Sequence, residues 1–243
     1  MESEQDGPVL WVVGAGSGMG RAAAIAAAGR GRTVVLSGRR VDRLEAVAAE
    51  IAATGGHAQV IAGDVREARW AQDAAATIVH DLGRIDEVVA ASGLNSPQRR
   101  WDDQSMANFE DVVATNLLGT VGTVDAALPA LRERGGTVVV VSSYSAWSFS
   151  PGAGVAYSAS KSALGAVCRT LNVQEAEHGI RATHLCPGDV DTDFLRQRPV
   201  VPDDAARAGM LSPEDVARSI LHVLDAPSHV RIDELVISPL SQR

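Results

Sequence analysis

The chain has 243 residues, 46% of them apolar and 21% charged, with aromatic residues at only 4%. A chain of this length exceeds the usual domain, but sheets with helices on both faces fold as one unit at this size, so one core over residues 1–243 is expected. The 22 Lys and Arg against 30 Asp and Glu leave a formal charge of -8, which repels nucleic acid and anionic membrane, and no helix face carries a basic patch to override it.

Cys168 and Cys186 lie in apolar surroundings without metal-ligand spacing or a CxxC pair, so they read as buried thiols rather than a disulfide framework or a metal site. Residues 1–7 are acidic and polar and read as a flexible tail, without the basic region and apolar stretch of a secretion signal. No run approaches membrane-spanning length, so a cytoplasmic protein is expected.

Apolar runs rich in Val and Ile predict strands over 9–13, 33–36, 58–61, 87–91, 137–141, 183–186 and 234–237. Between them, helical periodicity predicts helices over 18–30, 42–54, 67–82, 105–134, 155–178 and 213–225. Strict alternation of strand and helix predicts an α/β fold, a doubly wound parallel sheet with helices on both faces. Residues 187–212 lack clear period and are punctuated by Pro199, Pro202 and Gly209; their central part, 193–210, is expected to form a lid.

After the first strand, Gly14-Ala15-Gly16-Ser17-Gly18-Met19-Gly20 opens into an Ala-rich helix. This G-x-x-x-G-x-G spacing suits a tight turn whose backbone N–H groups, at a helix N-terminus, cradle a pyrophosphate; the plainer reading is a close strand–helix turn. The second strand ends Leu36-Ser37-Gly38-Arg39-Arg40, with arginines where an acidic residue would hold a ribose 2′-hydroxyl. Arg39 and Arg40 therefore point to a 2′-phosphate, and so to NADP(H) over NAD(H), the other reading being a solvated loop. Asp64 and Val65 follow the third strand, where they flank an adenine or, in the case of Asp64, cap the next helix.

The fifth strand runs into Ser142-Ser143, and Tyr157 and Lys161 follow four residues apart on one helix face. A neighbouring ammonium favours a phenolate, so such a pair suits proton transfer to or from an alcohol oxygen, which a nearby serine would orient. Alone, the pattern also describes a packed tyrosine beside a solvated lysine.

Taken together, the glycine turn, Asn116, the Ser-Ser pair, Tyr157-x-x-x-Lys161 and Pro187-Gly188-x-Val190-x-Thr192 resemble the classical short-chain dehydrogenase/reductase family in order and spacing, from about Val9 to Ile237. The resemblance implies a Rossmann-type seven-stranded sheet and a catalytic set of Ser143, Tyr157, Lys161 and Asn116. Tyr157 would be the acid/base, Lys161 would hold the nicotinamide ribose and lower the tyrosine pKa, and Asn116 would position a relay water. Thr192 would contact the carboxamide, with Val190 and the Pro187-Gly188 turn around the nicotinamide and Ala91 and Gly93 along the cofactor. It also implies a small carbonyl or alcohol substrate and a homodimer or homotetramer.

Three departures accompany the resemblance. Ala91-Ser92-Gly93 stands where the family has Asn-Ala-Gly, removing an amide that ties strands together. The interval from Ser143 to Tyr157 is one residue longer than usual, which places an insertion in 151–155 and leaves Ser142 and Ser145 as alternatives to Ser143. The ending Ile232 to Pro239 lacks a glycine-rich segment and looks like the branch acting on small hydroxy acids. The expected function is NADP(H)-dependent oxidation or reduction at a carbonyl carbon, against the alternative of a catalytically silent dinucleotide-binding regulator. Trp101, Trp147, Phe149 and Phe194 line an apolar pocket or else pack elsewhere. Arg196, Arg198 and Arg207 in the lid, with Arg99 and Arg100 on the loop after the fourth strand, where substrate should enter, point to a substrate bearing a carboxylate or other anionic group unless they only solvate the surface.

Overall fold

A computed structural model describes residues 7–242, so the tail expectation, Gly7 apart, lies outside the described residues. Val-rich runs form β1 (Val9–Val13), β2 (Thr33–Gly38), β3 (His57–Ala62), β4 (Glu87–Ala90), β5 (Gly136–Val141), β6 (Ile180–Pro187) and β7 (Glu234–Ile237). All pair in parallel, in the order β3-β2-β1-β4-β5-β6-β7. β1 pairs with both β2 and β4, so the winding reverses there and opens a crevice at the carboxyl ends of the strands. This is a Rossmann-type doubly wound sheet.

Strands buried on both faces need helices on both. Leu10, Val12, Leu36 and Leu185 pack with α1 (Gly18–Ala28), α2 (Val41–Ala53) and α9 (Pro213–Leu224). Trp11, Val13, Val88 and Val140 pack on the other face with α3 (Trp70–Leu82), α5 (Gly119–Arg134) and α7 (Val155–Gln174). The Ser212–Asp215 capping box sets the start of α9. At the end of the sheet away from the crevice, the guanidinium of Arg32 grips Glu87 at 2.6 and 3.0 Å and Asp225 at 3.0 Å, which joins β2, β4 and the end of α9.

The structure departs from the sequence reading in several places. The helix expected from Glu67 begins at Trp70, because Asp64 spends its carboxylate on the backbone N–H and guanidinium of Arg66 instead of capping a helix. The single helix expected over 105–134 is α4 (Met106–Val113) and α5 joined by a π-turn at Ala114–Leu118. Contrary to expectation, this stretch, Met106–Arg134, is long and apolar enough to cross a membrane by composition, with a mean hydropathy of 1.2. In the fold only one side of it is buried, packed on α3 and the sheet through Val124, Ala127 and Leu131. The segment 193–210 holds two short elements, a 3-10 turn at Asp193–Gln197 and α8 (Asp204–Arg207).

Candidate active site

A cavity of about 520 Å³ fills the crevice at the strand ends. Its floor at one end is the turn from β1 into α1, and Gly14, Gly16, Ser17, Gly18, Met19 and Gly20 all border it. At Gly14 and Gly20 the turn has no room for a side chain. A Cβ on Gly20 would lie 2.3 Å from the Gly14 carbonyl oxygen, and Gly14, at φ +92°, sits where a Cβ would be 2.8 Å from the Ala91 backbone. The N-terminus of α1 faces the cavity with no acidic residue in its first turn, which leaves its N–H groups to an anion.

Arg39 and Arg40 border the same cavity, joined by Arg43, which the sequence reading missed. Its signal was there: Arg43 follows Arg40 by three positions on a helix that begins at Val41. The Arg40 guanidinium donates to Ser17 Oγ at 3.2 Å, tying the basic cluster to the glycine turn. Gly38 has open space beside it, with its nearest Cβ neighbour, Leu44 Cδ2, at 3.7 Å. Asp64, Val65, Ala91 and Gly93 also border the cavity, and Arg66 holds the Asp64 carboxyl below its usual pKa.

At the other end, Tyr157 and Lys161 border the cavity one helical turn apart on α7. Ser142 Oγ donates to the Lys161 carbonyl at 3.0 Å and Ser145 Oγ to Ser143 Oγ at 3.1 Å, while the Ser143 hydroxyl lies near enough to the Tyr157 side chain to lower its pKa. Of the three serines, Ser142 borders the cavity. The extra residue is absorbed by a 3-10 turn at Pro151–Ala153 and by Gly154 at φ +87°, whose missing Cβ makes room for Arg99.

Burial raises the Tyr157 pKa. The Ser143 hydrogen bond and the charges of Arg99 and Arg198 work against that rise, and Asp189 adds to it. Lys161 is fully enclosed and its Nζ donates to the Val141 carbonyl at 2.8 Å; burial lowers its pKa to about 8. Phe194 lies against Tyr157 with ring centroids 5.9 Å apart. Trp147 instead meets Tyr144 edge-on at 5.2 Å within the short helix α6 (Tyr144–Trp147), and Trp101 and Phe149 are exposed, so these three do not border the cavity.

Asn116 sits in the π-turn, completely buried, and its side chain is spent on structure. Its Oδ1 accepts from the Leu94 N–H at 2.7 Å, and Nδ2 donates to the Leu94 carbonyl at 2.9 Å and Ser160 Oγ at 3.1 Å. Thus it ties the loop after β4 to α7. Thr192 borders the cavity opposite Gly18 and precedes the 3-10 turn without a side-chain cap bond. Pro187, Gly188 and Val190 lie behind the wall: the Gly188 N–H donates to the Ile237 carbonyl at 2.7 Å, and buried Val190 bridges to Leu211.

Both cysteines are buried thiols whose pKa values burial pushes up to about 12. Cys186 Sγ lies 3.5 Å from His184 Nδ1, which meets Glu234 Oε1 at 3.0 Å. This contact between neighbouring strands, invisible in linear spacing, satisfies a buried histidine.

Residues 8–200 match the family model for short chain dehydrogenases. The chain belongs to the short-chain dehydrogenase/reductase family. It is 30% identical over 230 residues to an uncharacterized oxidoreductase of Staphylococcus aureus, covering 94% of this chain and 96% of that one. It is 34% identical over 239 residues to the glycine betaine reductase of Emericella nidulans, covering 96% of this chain but only 19% of that much longer protein. Among solved structures, it is similar to an alcohol dehydrogenase from the archaeon Thermococcus sibiricus complexed with 5-hydroxy-NADP, with TM-score 0.89, 30% identity and coverage of 98% and 99%. A serine dehydrogenase complexed with NADP+ superposes with TM-score 0.87 at 26% identity, covering 97% and 96%. Membership makes this chain an oxidoreductase with a nicotinamide dinucleotide site and a small-molecule substrate.

Proposed function

We propose that this oxidoreductase transfers hydride between NADP(H) and the carbon of a ketone, aldehyde or secondary alcohol, with Tyr157 as its acid/base. The observation that carries the reading is that Tyr157 and Lys161, one turn apart on α7, share one cavity with the glycine turn. The cavity fits a dinucleotide: the backbone of Gly14–Gly20 is bare where a pyrophosphate would lie, and α1 offers its N-terminus there. The nicotinamide, when bound, supplies or takes the hydride.

The chain's own residues do the rest. Ser143 holds the substrate oxygen, and Tyr157 gives that oxygen a proton in reduction or takes it in oxidation. Lys161 holds the ribose and, as a cation, favours the phenolate whenever the proton has left. Thr192 holds the carboxamide. Asn116 serves this set by fixing α7 to the loop after β4. The intact Tyr157–Lys161 pair speaks against a silent binding protein, and the lid role belongs to 193–210, whose Phe194 touches Tyr157.

NADP(H) is preferred because Arg39, Arg40 and Arg43 border the cavity and no carboxylate stands between Leu36 and Val41. The solved relatives bound to NADP+ and 5-hydroxy-NADP agree with that choice. Steady-state rates with both reduced cofactors against a carbonyl panel test it. A charge-assisted contact contributes about 1.5–3 kcal/mol, so kcat/KM should favour NADPH by roughly 10- to 100-fold. R39A should erase most of the margin through KM, since the 2′-phosphate contact is alike in ground and transition states. G38D, which has room for its side chain, should reverse the preference. Equal or better kcat/KM with NADH in the unmodified enzyme refutes the cofactor assignment.

A further inference from the structure

Gln197 ends the turn at Asp193–Gln197 and borders the cavity that Tyr157, Lys161 and Phe194 also border. It is held at both its main chain and its side chain. The Gln197 carbonyl accepts from a terminal nitrogen of Arg99, and its Oε1 accepts from the Asn95 N–H at 2.7 Å. Asn95 is itself buried and fixed: its Nδ2 donates to the Ala153 carbonyl at 3.0 Å, and its Oδ1 accepts from the Ser96 N–H at 2.8 Å.

A backbone N–H can only donate, so the end of the Gln197 amide that meets Asn95 must be the oxygen. This leaves Nε2, with two N–H donors, on the other side. Among the described residues nothing accepts from them. Nor is this nitrogen sealed inside the protein, since among those residues Gln59 Oε1 is the one buried side-chain polar atom without a partner. Nε2 is thus open, and the space that Gln197 borders is the cavity. A donor already fixed through the other half of its own amide loses little freedom when an acceptor arrives.

The charges nearby are compensated. Arg198 and Arg207 pair with Asp189 and Asp191, and Arg100 and Arg196 lie 3.5 and 3.4 Å from Asp102 and Asp193. Arg99 is spent on the carbonyls of Ser96, Gly152 and Gln197. Each arginine expected to hold an anion is therefore engaged by the protein itself, and an uncharged oxygen is the acceptor that fits the neutral donor of Gln197.

We propose that Gln197 determines specificity, its Nε2 donating to a second, uncharged oxygen of the substrate, so that the enzyme prefers alkoxy-, hydroxy- or oxo-substituted ketones and alcohols to plain ones. This rests on the oxidoreductase reading.

Methoxyacetone and pentan-2-one test it, because they share one shape and differ by an ether oxygen, which only accepts, in place of a methylene. In the first arm kcat/KM with NADPH is measured on both, and the ratio is compared between the unmodified enzyme and its variants, which cancels the intrinsic reactivity of the ketones. A neutral hydrogen bond predicts that Q197L lowers the methoxyacetone to pentan-2-one ratio by roughly 2- to 10-fold. Q197E keeps an oxygen for the Asn95 N–H but turns the open end from donor to acceptor. It should lower the ratio at least as far, and should shift preference towards hydroxyacetone, whose O–H can donate, over methoxyacetone. In the second arm the enzyme–NADP+ complex, in which neither ketone can react, is titrated calorimetrically, and Q197L should lower the ratio of the two affinities by the same factor.

A loop that is merely disturbed slows both ketones alike and leaves the ratio unchanged. Unchanged ratios in Q197L and Q197E overturn the proposal, and if Q197L does not fold, Q197E decides it. Turnover of neither ketone, with the affinity ratio still falling in the variants, fells the oxidoreductase reading and leaves the role of Gln197 standing.

Discussion

Lys161 is a buried cation held by one carbonyl, and the cost of holding it is readable from pH. Its pKa falls from 10.5 to about 8, so between those values the folded chain binds fewer protons than the unfolded one. Stability from this group therefore rises with pH through that window, and its full penalty, on the order of 3 kcal/mol, is present below it. K161M should raise the melting temperature of the cofactor-free protein at pH near 7, less the roughly 1 kcal/mol of the lost hydrogen bond, and the gain should vanish towards pH near 10.5. A K161M effect that does not depend on pH would show that Lys161 reaches water. The shared helix face of Tyr157 and Lys161 was legible in their spacing; a joint role came only with the resemblance. The serine was not legible, since strict counting from Tyr157 lands on Tyr144, and the intervening chain folds as a turn at Pro151–Ala153 followed by Gly154 at φ +87°.

Among the elements, strands were legible because a sheet covered on both faces needs continuous apolar runs, as in Val138–Val141. The π-turn at Ala114–Leu118 was not, because its long-range ties run from Asn116 to Leu94, 22 positions away, and to Ser160. Helical periodicity has no access to such contacts. Equally hidden was Arg99, whose partners lie in two other loops. N116A should remove the side-chain partners of the half-buried Leu94 N–H and C=O, costing about 1 kcal/mol per lost hydrogen bond in urea unfolding. It should also lower activity by loosening α7 against the loop after β4. Unchanged stability with N116A would mean that this tie is dispensable.

At the level of the whole molecule, the chain carries more apolar surface than its own core covers. Met106, Leu118 and Val173 are 65%, 61% and 78% exposed on α4, the π-turn and α7, and Val121 on α5 adds to them. Exposed apolar surface of this kind marks association sites, and a homodimer or homotetramer that buries these helices is the expected state. Light scattering at micromolar concentration should give a multiple of 25.3 kDa, reduced by L118R; a monomer mass for the unmodified chain argues against it. Hydride transfer with Tyr157 as acid/base is followed through the hydride itself. NADPH deuterated at the transferring position of the nicotinamide is mixed with the enzyme and oxo acids or ketones, and the alcohol product is analysed by mass and NMR. One deuterium should appear on the new carbinol carbon, and Y157F should slow its arrival by about 10²- to 10⁴-fold while cofactor binding persists. Cofactor that binds but gives no labelled alcohol with any carbonyl, or equal rates with Y157F, would contradict the account.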